Sequence, residues 1–305
     1  MKIRIDPEQD TFLLDHVVDG APLLPTVMQL DLVARGLMAT TAAQQATRPQ
    51  AGLLLRDIRV GPPVQFTGPG LYHLDLLSEP GPASRQGRSA QGFELRSAIG
   101  DAPHLTAHAE HTSRPAGRLG TCGFAGGLPG GPDLIYPPFF HGPTFQVVGS
   151  FGPAGDGGLA ARLASGLPPL RWGCGPTVLR PRLLELLLQC CGIQELAGTG
   201  RMMVPAAIES VYWHPESLTP EAETNAVAVA RPRAGPPPRH GQVFDGQVVT
   251  PSGTVLLTVT GYRAIDLGCP ADLRQAARLA QRLAARSEPA ARGWAGTAIP
   301  EGAPR

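Results

Sequence analysis

VLRPRLLELLLQCCGIQELAG, the stretch from Val178 to Gly198, is strongly apolar and has the pattern of a helix. Pro181 suits the first turn of such a helix, and Gly198 suits its end. The run of leucines leaves almost no polar face, so a helix formed here must be covered by other structure on nearly every side. We therefore expect a sheet to wrap around it.

Segments that alternate apolar and polar residues between Gly and Pro breaks predict antiparallel strands on both sides of this helix. They are FQVVGSF and GLAARLAS before it, and AAIESVYWH, TNAVAVARPR, GQVFDGQVVT and TVLLTVTGYRAI after it. The first part of the chain has a related order. A helix is predicted in PLLPTVMQLDLVARGLMATTAA, and strands are predicted in LLLRDIRV, PVQFTG, LYHLDLLSE, GFELRSAIG and HLTAHAEHTS. The pattern indicates an α+β fold with two duplicated halves, which could join edge to edge and so remove exposed strand edges.

Between the halves, the stretch from Arg114 to Tyr136 is rich in glycine and proline and has no periodicity, as is typical of a linker. The predicted units are residues 1–115, a linker at 116–136, and a second unit at 137–268. Residues 269–305 are predicted to form a short helix and a flexible tail.

Composition excludes several classes of function. The net charge of +1 gives no strong field to attract nucleic acid or an acidic membrane surface. Five cysteines without paired spacing indicate a reducing, cytoplasmic compartment. Because there is no apolar segment of signal-peptide or membrane-span type, we expect a soluble protein.

Three motifs resemble one family. HVVDGAPLLP, starting at His16, is similar to the HxxxGxxxxP motif of dehydratase domains from modular polyketide synthases and animal-type fatty acid synthases. FFHGPTF, starting at Phe139, resembles that family's YxYGPxF motif, with Phe139 and His141 in place of the two tyrosines. RPRLLELLLQ resembles the segment that opens the helix of the family's second half, with Glu185 in the place of an aspartate. The resemblance implies a double hotdog, in which two helix-wrapping antiparallel sheets join into one long sheet.

The family's chemistry is removal of water from a β-hydroxyacyl thioester, giving an enoyl thioester. By resemblance, His16 is the base that takes the α-proton, and Glu185 is the acid that protonates the departing hydroxyl. The extra methylene of glutamate moves the carboxyl on the order of 1.5 Å from where aspartate would hold it. The resemblance also implies a set of substrate-binding residues: Gly20, Pro25, Thr26, His141, Gly142 and Gln189.

The implied substrate is carried on the phosphopantetheine of an acyl carrier protein, so that protein and other polyketide synthase domains are the expected partners. A homodimer is left open. No phosphate-binding glycine motif is present, so we expect neither a nucleotide nor another cofactor.

Several alternatives remain at this stage. Asp31, on the first helix, is a rival acid. His104, His108 and His111 have spacings that suit zinc on a helix, but their segment has the pattern of a strand. The altered motifs also allow a dehydratase-like cyclase, a double-bond isomerase, or a non-catalytic dehydratase-like scaffold module.

Overall fold

The computed structural model describes residues 1–45, 51–83, 89–98, 100–112, 128, 130–155, 157–234, 241–270 and 273–284. In these ranges the strands are β1 (Lys2–Ile5), β2 (Val17–Val18), β3 (Ala21–Pro22), β4 (Gly52–Val60), β5 (Tyr72–Ala83), β6 (Ser89–Ser97), β7 (Leu105–Thr112), β8 (Val148–Ala154), β9 (Gly158–Leu163), β10 (Arg201–Trp213), β11 (Val227–Pro232), β12 (Val243–Val249) and β13 (Val255–Pro270). The α-helices are α1 (Thr26–Gln45), α2 (Pro181–Thr199) and α3 (Leu273–Ala284).

The helix α2 is buried along most of its length, as its leucines require. It packs against strands β8 to β12 and contacts α1 and α3. Pro181 is its first residue, where a missing N–H costs nothing. The helix continues one residue past the predicted end, and Gly200 ends it in a left-handed conformation, with φ 69° and its N–H bonded to the Leu196 carbonyl at 2.9 Å.

Strands from both halves form one antiparallel sheet. Eleven strands of the described ranges lie in the order β1-β5-β6-β7-β4-β10-β13-β12-β11-β9-β8. The first five wrap α1, which packs on β5, β6 and β7, and the other six wrap α2. The seam is the β4–β10 pair, where Val211 lies opposite Leu55 and Ile208 opposite Ile58. This confirms the α+β double hotdog.

The predicted strands differ from the structure in one segment, and the structure also contains short strands that the sequence pattern does not predict. PVQFTG, residues 63–68, is not a sheet strand, and only Gln65 forms an isolated bridge, to Leu23. Pro62 and Pro63 have no N–H to donate to a ladder, so the segment runs beside residues 22–24 instead. Conversely, the short edge strand β1 was not predicted, although Ile3 and Ile5 alternate with charged residues and are buried.

The predicted linker and tail lie largely outside the described residues. Of the linker at 116–136, the structure describes 128 and 130–136, which include a 3₁₀ turn at Pro132–Leu134. The predicted C-terminal helix corresponds to α3, and the tail after residue 284 is not described. The unit boundaries stay a prediction. None of the helices in the described ranges is both long and apolar enough to cross a membrane.

Candidate active site

His16 lies in a small hairpin that precedes α1. The strands β2 and β3 pair through Val17 with Pro22 and Val18 with Ala21, and the two residues between them, Asp19 and Gly20, have φ of 50° and 77°. Left-handed conformation at both positions is the requirement of a type I′ turn, which an Asp-Gly pair satisfies. Gly20 therefore fixes the turn that holds His16, rather than lining the cavity itself.

The tautomer of His16 follows from its hydrogen bond to Leu23. The ring Nδ1 lies 3.2 Å from the Leu23 carbonyl oxygen, which can only accept, so Nδ1 carries the hydrogen and Nε2 keeps a lone pair. Burial, followed by the charge of nearby His141, lowers the pKa of His16 from 6.5 to about 4. His16 is thus neutral at neutral pH, as a base must be.

The FFHGPTF segment of the second half lies directly against this hairpin. His141 forms an isolated antiparallel bridge with His16, and their ring centroids are 5.5 Å apart. The Gly142 N–H donates to the Asp15 carbonyl oxygen at 2.8 Å, and the Thr144 N–H donates to the Asp15 side chain at 3.0 Å. A Cβ atom on Gly142 would lie 2.3 Å from Asp15 Oδ1, so only glycine fits this close approach. Gly142 therefore allows this close contact with Asp15 and does not itself line the cavity.

Glu185 is buried on α2 and faces the two histidines. His141 Nε2 lies 3.1 Å from Glu185 Oε1, and Gln189 Nε2 donates to the same oxygen at 2.8 Å. Burial alone would raise the pKa of Glu185, but the hydrogen bond and charge of His141, together with the hydrogen bond from Gln189, lower it overall. The carboxyl is therefore ionised. This differs from the expectation that a dry pocket keeps it protonated, because that expectation did not include a histidine partner.

Tyr136 completes the support of Glu185 and was missed by the sequence analysis. Its hydroxyl accepts from the Val148 N–H at 2.7 Å and donates to Gln189 Oε1 at 2.9 Å. Gln189 in turn donates to the Phe145 carbonyl oxygen at 2.7 Å. Tyr136 is the last residue of the predicted linker, and the sequence around it has no periodicity that would indicate its packing against the core.

A cavity of about 300 Å³ opens between the halves, and both halves line it. His16, Thr26, His141, Glu185 and Gln189 all contribute to its wall, whereas Gly20, Pro25 and Gly142 are not among the lining residues. Thr26 is the first residue of α1, where backbone N–H groups are free of helical partners and can donate to a ligand. Much of the remaining lining is apolar: Val18, Leu23, Leu24, Val60, Pro63, Phe139, Phe140, Leu188, Met202, Met203, Val204, Pro205 and Ile265.

Asp31, the rival acid, lies outside the cavity lining. Its carboxylate accepts from Arg35 Nε at 2.8 Å and from the N–H groups of Val178 and Leu179 at 2.7 Å each. A carboxylate with these partners joins α1 to the segment before α2. Its place in the structure favours a structural role.

The histidines that suggested zinc are dispersed on and beside β7. His104 has its two ring nitrogens at hydrogen-bond distance from the Pro62 carbonyl oxygen and Ser97 Oγ, and His108 contacts Asp57. Across the described part of the chain, no cluster of three or more His, Cys, Asp or Glu residues is arranged to hold a metal ion. That the protein uses no cofactor stays a prediction.

Comparisons with known proteins agree with this architecture. Residues 137–273 match the family model described as "Polyketide synthase dehydratase N-terminal domain". No sequence match was found among curated proteins.

Similar solved structures include a trans-AT PKS dehydratase domain from Brevibacillus brevis, at 20% identity and a TM-score of 0.65, covering 87% of this chain and 93% of that one. The dehydratase domain of PpsC from Mycobacterium tuberculosis in complex with C12:1-CoA is similar at 20% identity and a TM-score of 0.65, covering 87% and 92%. The dehydratase domain from the CurF module of curacin polyketide synthase gives 15% identity and a TM-score of 0.64, covering 87% and 92%. This chain therefore has the double-hotdog fold of polyketide synthase dehydratase domains, and residues 137–273 match the sequence model of that family.

Proposed function

We propose that this chain is a dehydratase of polyketide biosynthesis, which removes water from a β-hydroxyacyl thioester to give an enoyl thioester. The observation that carries the proposal is the meeting of His16 from the first hotdog with His141 and Glu185 from the second, at the wall of one cavity. Dehydration needs a base for carbon and a proton donor for oxygen, and the two sides of this cavity offer one group of each kind.

His16 is the base of the proposed reaction. Its Nδ1–H donates a hydrogen bond to the Leu23 carbonyl oxygen, and its Nε2 lone pair takes the α-proton. The electrons of that C–H bond form the double bond, and the bond from the β-carbon to oxygen breaks. The oxygen leaves as water, with a proton supplied from the side of the cavity formed by His141 and Glu185.

The substrate class follows from the cavity walls. Apolar residues of β10 and β13, including Met202, Met203 and Ile265, can cover an acyl chain, while the N-terminus of α1 at Thr26 can donate to a thioester carbonyl. A similar structure was determined with an acyl-CoA, which is also a thioester. We infer that the substrate is attached to the phosphopantetheine of an acyl carrier protein, and that this protein and other polyketide synthase domains are the partners.

The test is to incubate the protein with a β-hydroxyacyl pantetheine thioester and to follow the mass of the acyl group for loss of water. We expect turnover by the wild type and a loss of about a hundredfold or more in His16→Ala, which removes the base. His108→Gln, a change outside the cavity, serves as the control and should keep full activity.

The other candidate functions give different results in this assay. A wild-type protein that leaves the thioester unchanged would refute dehydration and support the scaffold reading. A product that keeps its mass but has a moved double bond or a new ring would indicate an isomerase or a cyclase instead.

A further inference from the structure

We infer that His141, and not Glu185, donates the proton to the departing hydroxyl, and that Glu185 is the positioning residue that holds His141. The inference rests on the proposed dehydration and reverses the role that the resemblance assigns to the glutamate. His141 lies at a position where the family motif has tyrosine.

The hydrogen bonds around Glu185 make it an acceptor. Its Oε1 lies 3.1 Å from His141 Nε2 and accepts a hydrogen bond from Gln189 Nε2 at 2.8 Å. Gln189 is itself held by hydrogen bonds with the Tyr136 hydroxyl and the Phe145 carbonyl oxygen. These donors favour the ionised carboxyl, whose pKa is lowered despite its burial. A carboxylate has no proton to give, so the donor must be another group.

The two imidazoles have different hydrogen-bond partners, and Glu185 contacts only one of them. Ring centroids 5.5 Å apart in a buried site make two positive charges costly. Only His141 is bonded to the carboxylate, whereas the Nδ1 of His16 faces a carbonyl oxygen. The carboxylate therefore favours a proton on His141 over a proton on His16, and His16 keeps the lone pair that a base needs.

The remaining ionisable groups around this site are weaker candidates. Asp19 lines the cavity but is exposed, as part of the hairpin turn. Tyr262 also lines it, and burial raises the pKa of its phenol well above the usual value, which makes it a poor acid. The Tyr136 hydroxyl already donates to Gln189, and burial raises its pKa as well.

His141 has one ring nitrogen left for the reaction. Nε2 is bonded to Glu185, while Nδ1 is enclosed and has no hydrogen-bond partner within the described residues. A buried polar atom without a partner is uncommon and marks a position where a ligand atom can complete the bonding. Donation from Nδ1 requires the ring to tilt out from under Phe140, which stacks on it at 4.3 Å, while Nε2 keeps its bond to Glu185.

The step then balances. His16 Nε2 takes the α-proton, and the C–H electron pair becomes the second bond between the α- and β-carbons. The β-carbon to oxygen bond breaks with its electrons on oxygen, which takes the Nδ1 proton of the His141 imidazolium and leaves as water. His141 ends neutral, still donating Nε2–H to the Glu185 carboxylate, and His16 ends protonated.

The decisive experiment compares pH–rate profiles of Glu185→Gln and His141→Gln over the range in which circular dichroism shows both to be folded. In Glu185→Gln the neutral amide no longer favours a protonated His141, so kcat should fall at neutral pH and recover on acidification. His16 stays a neutral base there, because its pKa is about 4. His141→Gln keeps an N–H for Glu185 but has no transferable proton, and should lose about a hundredfold in kcat at every pH.

A Glu185→Gln variant that is inactive at every pH overturns the assignment, and so does a His141→Gln variant with the kcat of the wild type. If His141→Gln does not fold, His141→Phe, which keeps a ring against Phe140, takes its place. His108→Gln and Glu209→Gln are matched controls outside the cavity.

Failure of the proposed function is recognised separately. Exchange of the α-hydrogen of a saturated acyl pantetheine thioester with D₂O requires the base but no acid, so His141→Gln should retain it and His16→Ala should lose it. A wild type that neither exchanges nor dehydrates refutes the dehydratase itself. A His141→Gln variant that still exchanges the α-hydrogen but no longer removes water supports the inference.

Discussion

A single carbonyl oxygen, that of Leu23, determines which nitrogen of His16 can act as a base. The half-buried ring packs against Phe140, His141 and Phe145, and burial makes His16 harder to protonate in the folded chain than in the unfolded chain. Residue-scale chemistry and folding stability are therefore linked through one proton.

That linkage predicts how stability depends on pH. With a pKa of about 4 in the folded state and 6.5 in the unfolded state, His16 binds protons more readily when the chain unfolds. Its contribution to the free energy of unfolding is present above pH 6.5 and is lost as the pH falls towards 4. Urea denaturation at several pH values should show a steeper acid loss in the wild type than in His16→Phe, and parallel curves would contradict this.

A second prediction at this scale concerns the Tyr136 hydroxyl. Tyr136→Phe leaves the Val148 N–H and Gln189 Oε1 without this partner, which should lower the free energy of unfolding by about 1–3 kcal/mol. Because Gln189 then holds Glu185 less firmly, kcat should fall about tenfold.

The matched control is Tyr212→Phe, since that hydroxyl donates to the Thr112 carbonyl oxygen away from the cavity. It should reduce stability while leaving kcat unchanged. Equal kcat in both variants would mean that Tyr136 supports the fold alone.

Among the elements, α1 is tied to the segment before α2 by hydrogen bonds from both members of an ion pair within α1. Asp31 accepts from Arg35 and from two backbone N–H groups, and Arg35 also donates to the carbonyl oxygens of Cys174, Gly175 and Pro176. The contact joins the helix of the first hotdog to the chain that leads into the helix of the second.

Asp31→Asn should lower the free energy of unfolding by about 1–3 kcal/mol, because the half-buried Arg35 guanidinium loses its carboxylate partner. At a temperature where the variant is folded, its kcat should match that of the wild type. Abolished turnover in a folded Asp31→Asn protein would restore Asp31 as the acid. Glu209→Gln, in the exposed Arg233 pair, provides the comparison and should cost no more than about 1 kcal/mol.

Element by element, the sequence was informative where periodicity was strong. The apolar faces of α1 and α2 and the alternation in β4 to β7 could be predicted because burial imposes them. PVQFTG alternates in the same way, but Pro62 precedes it and Pro63 begins it. Its pairing with residues 22–24 is a tertiary contact, which a local sequence pattern does not predict. His16 and Glu185 could be named from motifs. The ionisation of Glu185 could not, because it depends on His141, more than forty residues earlier in the chain.

At the scale of the whole molecule, the halves share a sheet, a cavity and a core. The principal cluster of buried side chains contains residues of both hotdogs, among them Leu55 of β4 and Val211 of β10 at the seam. A core that crosses the seam couples the two halves energetically, because separating them would expose it.

We therefore predict one cooperative unfolding transition, although the chain is longer than most two-state domains. Far-UV circular dichroism, which follows the sheet, and the fluorescence of the three tryptophans, of which Trp213 is buried at the seam, should give coincident midpoints. Asp31→Asn should move both midpoints together. Two separated transitions would indicate that each hotdog unfolds by itself.

The bridge between His16 and His141 has a consequence for how such a site can change over generations. The base is encoded early in the chain, yet the second cause of its lowered pKa after burial, the charge of His141, is encoded in the other half. A substitution at position 141 can alter the basicity of His16 without touching the hairpin that holds it. The substitutions that one half of the sequence can accept therefore depend on the residues present in the other half.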